Sequence, residues 1–490
     1  VTGAGLILTI DQGTSSTRAS LYDQELRPIA RAFRPVRSLT PRPGWSEQPP
    51  DELLGGLVEA VSDVLRALPD GAHVVAAGLA NQGETTMAWD ADSGEPLSGA
   101  VSWQCRRSES VVRELADAGF GPEVRRRTGL PLDAYYSAGK MTWLLRNEPA
   151  VAHAARDERL RLGTVDAWLI ARLDGSALTD PSTASRTQLF GLDRGDWDPW
   201  LLDRFGVAER WLPPIAPTAG ELATLRHRSW PVELPLRAAA CDQQAALAGN
   251  AGLTPGAAKV TYGTGAFLVA DAGTDVPPSR VLEVSVAWRL GMAPMVYVLQ
   301  GGVLSAGSVG SWLEQGLGLS GAADLGRLAA SAPDAGGVRM LPALGGIGAP
   351  WYRPDARGVL AGLTAATRPG NLARALIDAI CHRVCDLVDA LAESGRPCPD
   401  VLRADGGLTR VDTLMQRQAD LLGVPVAVVD DPESTSRGIA LLAAVGAGLR
   451  GAGANRPAAV ARTFEPRLDP GRREADRSSW RSFVTAASAL

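Results

Sequence analysis

Lysine is nearly missing from this chain: of its 49 basic residues only Lys140 and Lys259 are lysines, and the rest are arginines. Histidine (4 residues), cysteine (5 residues) and aromatic side chains (5%) are also scarce. Cys105, Cys241, Cys381, Cys385 and Cys398 show no paired spacing, which argues against a disulfide framework or a zinc ribbon. Cys381 and Cys385 stand four apart in an apolar helical stretch, where a free thiol behaves as a small buried hydrophobe. No histidine pairs with a Cys or Asp cluster, so neither a histidine-ligated metal nor a serine-hydrolase triad has support. No apolar run is long enough to span a bilayer, and no basic segment followed by an apolar one opens the sequence. The expectation is a cytoplasmic protein with no membrane partner. A net charge of −5 disfavours nucleic acid as a partner as well.

What is present is one device used twice. The apolar run Leu6-Ile7-Leu8-Thr9-Ile10 enters Asp11-Gln12-Gly13-Thr14-Ser15-Ser16-Thr17-Arg18 and leaves through Ala19-Ser20-Leu21-Tyr22. About 250 residues later Ala258–Tyr262 enters Gly263-Thr264-Gly265 and leaves through Ala266–Val269. Both read as β-hairpins with turns of glycine and hydroxyl residues, where backbone N–H groups can approach an anion unhindered by a Cβ. A chain of 490 residues exceeds one hydrophobic core, so two lobes are expected, 1–250 and 251–490, parting where Gly249, Gly252 and Pro255-Gly256 cluster. Two such hairpins suggest two lobes closing on one nucleotide.

Strands and helices alternate through the first half: a third strand over 28–35, a helix over 51–68, strands at 74–80 and 85–89, then a helical middle over 108–173. The second half repeats this with a strand at 296–299, a helix at 309–317, and a strand over 401–404 running into Asp405-Gly406-Gly407. A helix over 411–422 and a strand over 424–429 complete a parallel unit. The last clear helix covers 438–447, and 467–479 reads only as charged.

Three groups carry candidate chemistry. Asp11, at a strand end, is placed to hold a metal-bound water near a transferring phosphate, with Ser15 and Arg18 as nearby donors; the bland alternative is a turn that needs Asp and Gly for its backbone. In Cys241-Asp242-Gln243-Gln244, Asp242 is either a base that accepts a hydroxyl proton or a helix N-cap, or both. Glu84, Trp103 and Tyr135 offer the carboxylate, apolar wall and phenol that a small polyol needs, although either aromatic taken alone reads as core.

The segments IDQGTSSTR (10–18), PGWSEQPP (43–50), NQGETTMAW (81–89), WQCRR (103–107), GTVDAWL (163–169), ASRTQLF (184–190), CDQQAAL (241–247), TYGTGAF (261–267), GIGAPWYRPDARGVLAGLT (346–364) and DGG…LMQ (405–416) resemble the FGGY carbohydrate kinases, and within them the glycerol kinases most. The resemblance implies an α/β fold of two ribonuclease-H-like lobes of the actin/hexokinase type, with a nucleotide cleft between them. It implies ATP and Mg2+ as cofactors, a polyol or sugar substrate held mainly by the 1–250 lobe, nucleotide mainly on the 251–490 lobe, and a homo-oligomer. Matched residue by residue, Asp11 and Asp242 take the metal positions, with Asp242 also the catalytic base. Gly83, Glu84, Trp103, Tyr135, Gln243 and Phe267 take polyol positions. Thr14, Ser15, Ser16, Arg18, Thr264, Gly265, Gly307, Gly406, Gly407 and Asp412 take nucleotide positions.

Two departures matter. Glycerol kinases carry Arg where this chain has Gly83, and its loss removes a charge-assisted hydrogen bond of roughly 1.5–3 kcal/mol while opening space. Asp412 stands where the family commonly has Asn. The implied activity is transfer of the γ-phosphate of ATP to a primary hydroxyl of a small polyol, glycerol first. A longer polyol, a ketose or a modified polyol-like metabolite is the alternative, and an actin-like ATPase switch a more distant one.

Overall fold

The computed structural model describes residues 5–318, 322–353, 355–429, 433–451, 453 and 457–489. The first lobe is built on strands β1 (Gly5–Gln12), β2 (Ser16–Tyr22) and β3 (Pro28–Pro35), helix α1 (Pro50–Arg66), and strands β4 (His73–Asn81), β5 (Ala219–Leu225) and β6 (Leu234–Cys241). Their order across the sheet is β5-β6-β4-β1-β2-β3. The β1–β2 and β2–β3 pairs are antiparallel, whereas β4 runs parallel to β1 and β6 parallel to β4. β1 is buried along its whole length, which explains its unbroken apolar run: a central strand covered on both faces has no polar side.

Helix α2 (Asp242–Ala251) leads to strands β7 (Ala258–Tyr262), β8 (Ala266–Gly273), β9 (Glu283–Trp288) and β10 (Val296–Val303). Helices α3 (Gly307–Leu317) and α4 (Pro369–Glu393) follow, then β11 (Leu402–Asp405), α5 (Asp412–Leu422), β12 (Val426–Val429), α6 (Ser434–Gly446), β13 (Val460–Phe464) and α7 (Pro470–Ala487). The second sheet runs β9-β10-β8-β7-β11-β12-β13. Here β7–β8 and β8–β10 are antiparallel, and β11 and β12 continue parallel to β7. Without β5, β9 and β13 the two sheets have the same connectivity, so the two glycine-hydroxyl hairpins occupy equivalent places.

The lobes share a middle layer. α6 comes from the second half of the chain yet packs on β1, β4 and β6, while α2 packs on β7, β8 and β11. The two helices join Ile7, Ala76, Ala238, Val269 and Val298 in one apolar cluster. They cross at Gly249 and Gly438: a Cβ on the first would lie 1.8 Å from the Ser434 carbonyl oxygen, and one on the second 1.7 Å from that of Ala245. Only glycine permits that approach. A second seam runs along β9, whose outer N–H groups at Val284 and Val286 donate to the Gly129 carbonyl (3.0 Å) and Ser185 Oγ (3.0 Å) of the first lobe.

Three expectations change. The stretch over 108–173 is not all helix, since Leu160–Thr164 forms a strand paired antiparallel with Thr86–Asp90. Gly249 lies inside α2 rather than in a linker. The charged stretch after 467 is largely α7, whose buried Trp480, Val484 and Ala487 form a stripe masked in sequence by the arginines and acids around it. We propose the division between lobes at 250/251, at the end of α2. Among the described residues no helix is long and apolar enough to cross a membrane.

Candidate active site

Each candidate carboxylate stands where a strand of the first sheet ends. At the end of β1, Asp11 faces Arg18 across the hairpin, with Nη1 to Oδ2 at 3.4 Å, and the same guanidinium reaches Glu433 Oε2 at 3.8 Å. Burial lifts the Asp11 carboxyl to about 6 against the pull of Arg18. Asp242 follows β6 directly. The N-cap of α2 is Cys241, which makes no side-chain capping bond, so Asp242 is the first helical residue and not the cap. Its carboxyl is pushed up to about 7, by burial first and then by the charges of Asp11 and Glu84, with the Gln243 N–H and Lys259 acting the other way. Asp242 therefore has the phosphate hairpin as one electrostatic neighbour and the β4 turn as the other.

That turn places Gly83 and Glu84. Gly83 has φ +78°, its N–H donates to Asn81 Oδ1 at 2.9 Å, and a Cβ there would lie 3.0 Å from Cys241 Sγ. Glu84 is buried, with Oε1 accepting from Arg186 Nε at 2.6 Å. Desolvation raises its pKa while Arg186 lowers it. The Trp103 and Tyr135 rings pack 5.4 Å apart. Burial, and then the charges of Glu84, Glu283 and Asp242, raise the Tyr135 phenol well above its ordinary value, with Arg186 opposing. Glu84, Tyr135, Arg186, Glu283 and Asp242 thus act on one spot.

A closed circuit of hydrogen bonds ties this wall to the first hairpin. Trp103 Nε1 donates to Thr14 Oγ1 (2.9 Å), Gln48 Nε2 to the Thr14 carbonyl (2.6 Å), and Gln82 Nε2 to Gln48 Oε1 (2.8 Å). Thr85 Oγ1 donates to Gln82 Oε1 (3.0 Å) and accepts from the Trp103 N–H (3.1 Å). Thr14 is thereby fixed by the wall that carries Trp103, while Ser15 and Arg18 remain exposed at the hairpin tip and Ser16 is partly so.

In the second lobe Thr264, Gly307, Gly407 and Asp412 line a cavity of about 980 Å³ together with Trp312 and Arg410. The hairpin is docked on α3: the Ala306 and Ser308 N–H groups donate to the Thr264 carbonyl (3.0 and 3.1 Å) and the Gly307 N–H to that of Gly263 (3.1 Å). Gly265 and Gly406 do not line this cavity. Gly406 has a packing reason to be glycine, with Tyr262 O 2.4 Å from its would-be Cβ. Phe267 of β8 pairs with Gly302 of β10, and its ring covers the space where a side chain on that glycine would lie. Asp412 is ion-paired with Arg462, which also donates to the Thr409 carbonyl at 2.8 Å.

Both lysines prove to be fully buried, and both flank the site. Lys259 Nζ donates to Gln243 Oε1 (3.1 Å) and Thr261 Oγ1 (2.7 Å). Lys140 Nζ donates to the carbonyls of Tyr135 and Tyr136, and burial brings its pKa down to about 7. Sequence reading assigned no role to Lys140, Lys259, Gln48, Gln82 or Arg186. The scarcity of lysine was the available signal for the first two; Arg186 sat in a recognised segment but among 47 arginines nothing marked it. No group of three or more His, Cys, Asp or Glu able to hold a metal occurs among the described residues.

Family models of the FGGY carbohydrate kinases match residues 6–249 (N-terminal domain) and 258–447 (C-terminal domain). The chain belongs to the FGGY family of carbohydrate kinases. It is 40% identical over 486 residues to a glycerol kinase of Citrifermentans bemidjiense, covering 98% of each chain. To one of Symbiobacterium thermophilum it is 39% identical over 490 residues, covering 99% of this chain and 98% of the other. Among solved structures it is similar to Plasmodium falciparum glycerol kinase with ADP (TM-score 0.93, 28% identity, 99% of both chains). A xylulose kinase from Rhodospirillum rubrum shares the fold (TM-score 0.85, 25% identity, 99% of this chain and 98% of the other). The two-lobed α/β architecture expected from the motifs is thus that of FGGY kinases, and the repeated sheet shows where each motif falls in it.

Proposed function

We propose that this FGGY kinase transfers the γ-phosphate of ATP to a primary hydroxyl of a small polyol, with glycerol the leading substrate. The observation that carries the reading is the position of Asp242, a half-buried carboxylate with a pKa raised to about 7 between Asp11 on the phosphate side and Glu84 on the polyol side. In this reading Asp242 accepts the hydroxyl proton as the oxygen attacks the γ-phosphorus, and ADP leaves with the electrons of the broken P–O bond. Arg18, Ser15 and Ser16 face the phosphates from the first hairpin, and Thr264, Gly265 and Gly307 from the second. The cavity bounded by Gly407 and Asp412 takes the nucleoside. Gln243, Glu84, Trp103, Tyr135 and Phe267 border the polyol.

Asp11, which is buried, and Asp242, which is half-buried, repel each other and suit a hard cation that completes its shell with phosphate oxygens and water. Mg2+ held there would offset charge on the β- and γ-phosphates. Gly83 favours a second reading: its side of the pocket carries no side chain, and an Arg there must adopt a left-handed backbone at roughly 1–2 kcal/mol. A four- or five-carbon polyol or ketose fits that wall as well. The same reading places the enzyme in the cytoplasm as a homo-oligomer.

A coupled ADP-release assay over a panel of polyols tests the proposal. ADP release should depend on one compound of the panel and fall at least ~10³-fold in Asp242→Ala with the fold intact. Slow ATP hydrolysis indifferent to every polyol would instead mark a nucleotide switch.

A further inference from the structure

The least expected side chain in the site is Arg186. It is 5% exposed, yet it is bound by carboxylates from both lobes: Nε donates to Glu84 Oε1 (2.6 Å) and Nη1 to Glu283 Oε2 (2.9 Å). Its guanidinium carbon lies 5.9 Å from the Tyr135 ring centroid and 5.2 Å from that of Tyr136. Gln300 Nε2 donates to the same Glu283 oxygen at 3.2 Å. The arrangement is not saturated. Nη2 of Arg186, the second oxygens of Glu84 and Glu283, and the Tyr135 hydroxyl make no hydrogen bond to any described residue, and none of these atoms is sealed from solvent. Donors and acceptors left open at the solvent-reached edge of a charged cluster suit a ligand that supplies both, as a hydroxyl does and an alkyl group does not.

We propose that Arg186 and Glu283 form the subsite for the polyol hydroxyl remote from the one phosphorylated. This rests on the kinase reading above and names the residues that set its specificity. The reacting hydroxyl belongs at Asp242, and the remote one lies across Tyr135, whose phenol carries the influence of Asp242 and of Glu84, Arg186 and Glu283 alike. Because Arg186 belongs to the first lobe and Glu283 to β9 of the second, the subsite exists only when the β9 seam is closed. Recognition of the remote hydroxyl and juxtaposition of the lobes become one event. A site built to hydrogen-bond a substrate hydroxyl rejects the analogue lacking it far more strongly than a merely apolar pocket does.

The test compares the polyol turned over best with its analogue deoxygenated at the remote end; for glycerol this is 1,2-propanediol. Wild type, Glu283→Gln and Arg186→Lys are assayed on both. Arg186→Lys keeps a buried cation and serves where Glu283→Gln folds poorly. The expected result is a loss of at least ~10-fold in kcat/KM on the full polyol, mainly through KM, and under ~3-fold on the deoxy analogue. Equal losses on both compounds, or a fall in kcat with KM unchanged, would assign the pair to structure alone and overturn the proposal. A wild-type enzyme active on a polyol, with variants that keep its discrimination, sinks this inference and leaves the kinase reading standing. A wild type inactive on every polyol sinks both.

Discussion

At the scale of single residues the proposed chemistry depends on how far burial shifts Asp242. As the proposed base its carboxyl has to be ionised to take a proton, so activity is expected above its pKa and lost below it. kcat/KM for the polyol should fall as pH drops through about 7, which a pH–rate series measures. The same shift acts on stability in the opposite sense. A folded pKa above the ordinary 3.8 means the native state binds the proton more tightly, so the stabilisation is full below about pH 4 and gone above about 7. Asp242→Asn should therefore abolish transfer yet raise the unfolding free energy near pH 8 by about 2 kcal/mol, with the gain shrinking toward pH 4. Urea denaturation at the two pH values checks this; a gain independent of pH would contradict it.

Among the elements, the crossing of α2 and α6 is the least tolerant. A methyl group on Gly438 would meet the Ala245 carbonyl at 1.7 Å and the Gly249 nitrogen at 2.6 Å, both backbone atoms that no side-chain rotation can move aside. Gly438→Ala should cost about 3 kcal/mol or more, as overpacking does where the backbone must shift. Ala substituted at half-buried Gly55 of α1, where nothing lies within 4 Å of an added Cβ, should change stability by no more than about 1 kcal/mol and in the favourable direction. Denaturant midpoints of the two variants give the comparison. The site depends on this crossing because α2 begins with Asp242, and any shift of the helix moves the carboxylate relative to Asp11 and Glu84.

For the whole molecule the question is whether two lobes behave as two. The apolar cluster formed by α2 and α6 draws on both sheets, and the β9 seam adds hydrogen bonds from Val284 and Val286 to the first lobe. Neither lobe keeps its inner face covered when the other unfolds. One cooperative thermal transition is expected by calorimetry despite the length of the chain. Two resolved transitions would show that the shared layer belongs to one lobe only.

Much of this was legible in sequence. The hairpins, the strand over 28–35, the Asp405-Gly406-Gly407 junction and the order of motifs depend on local pattern: glycines in turns, apolar runs of strand length, polar residues just past strand ends. Those signals also named the family, which the 40% identity over 486 residues and the two matched domains bear out. Local pattern failed where a segment's role depends on what covers it. Leu160–Thr164 became a strand because Thr86–Asp90 lies beside it, and Gly249 reads as a linker residue until Gly438 is seen against the same helix. The sequence by itself determined the two-lobed plan and which acids stand at the strand ends of the first sheet. Only the tertiary structure decided that Arg186 joins Glu84 to Glu283 and that both lysines lie beneath the site, because partners 97 to 102 residues apart meet through packing that no local periodicity encodes.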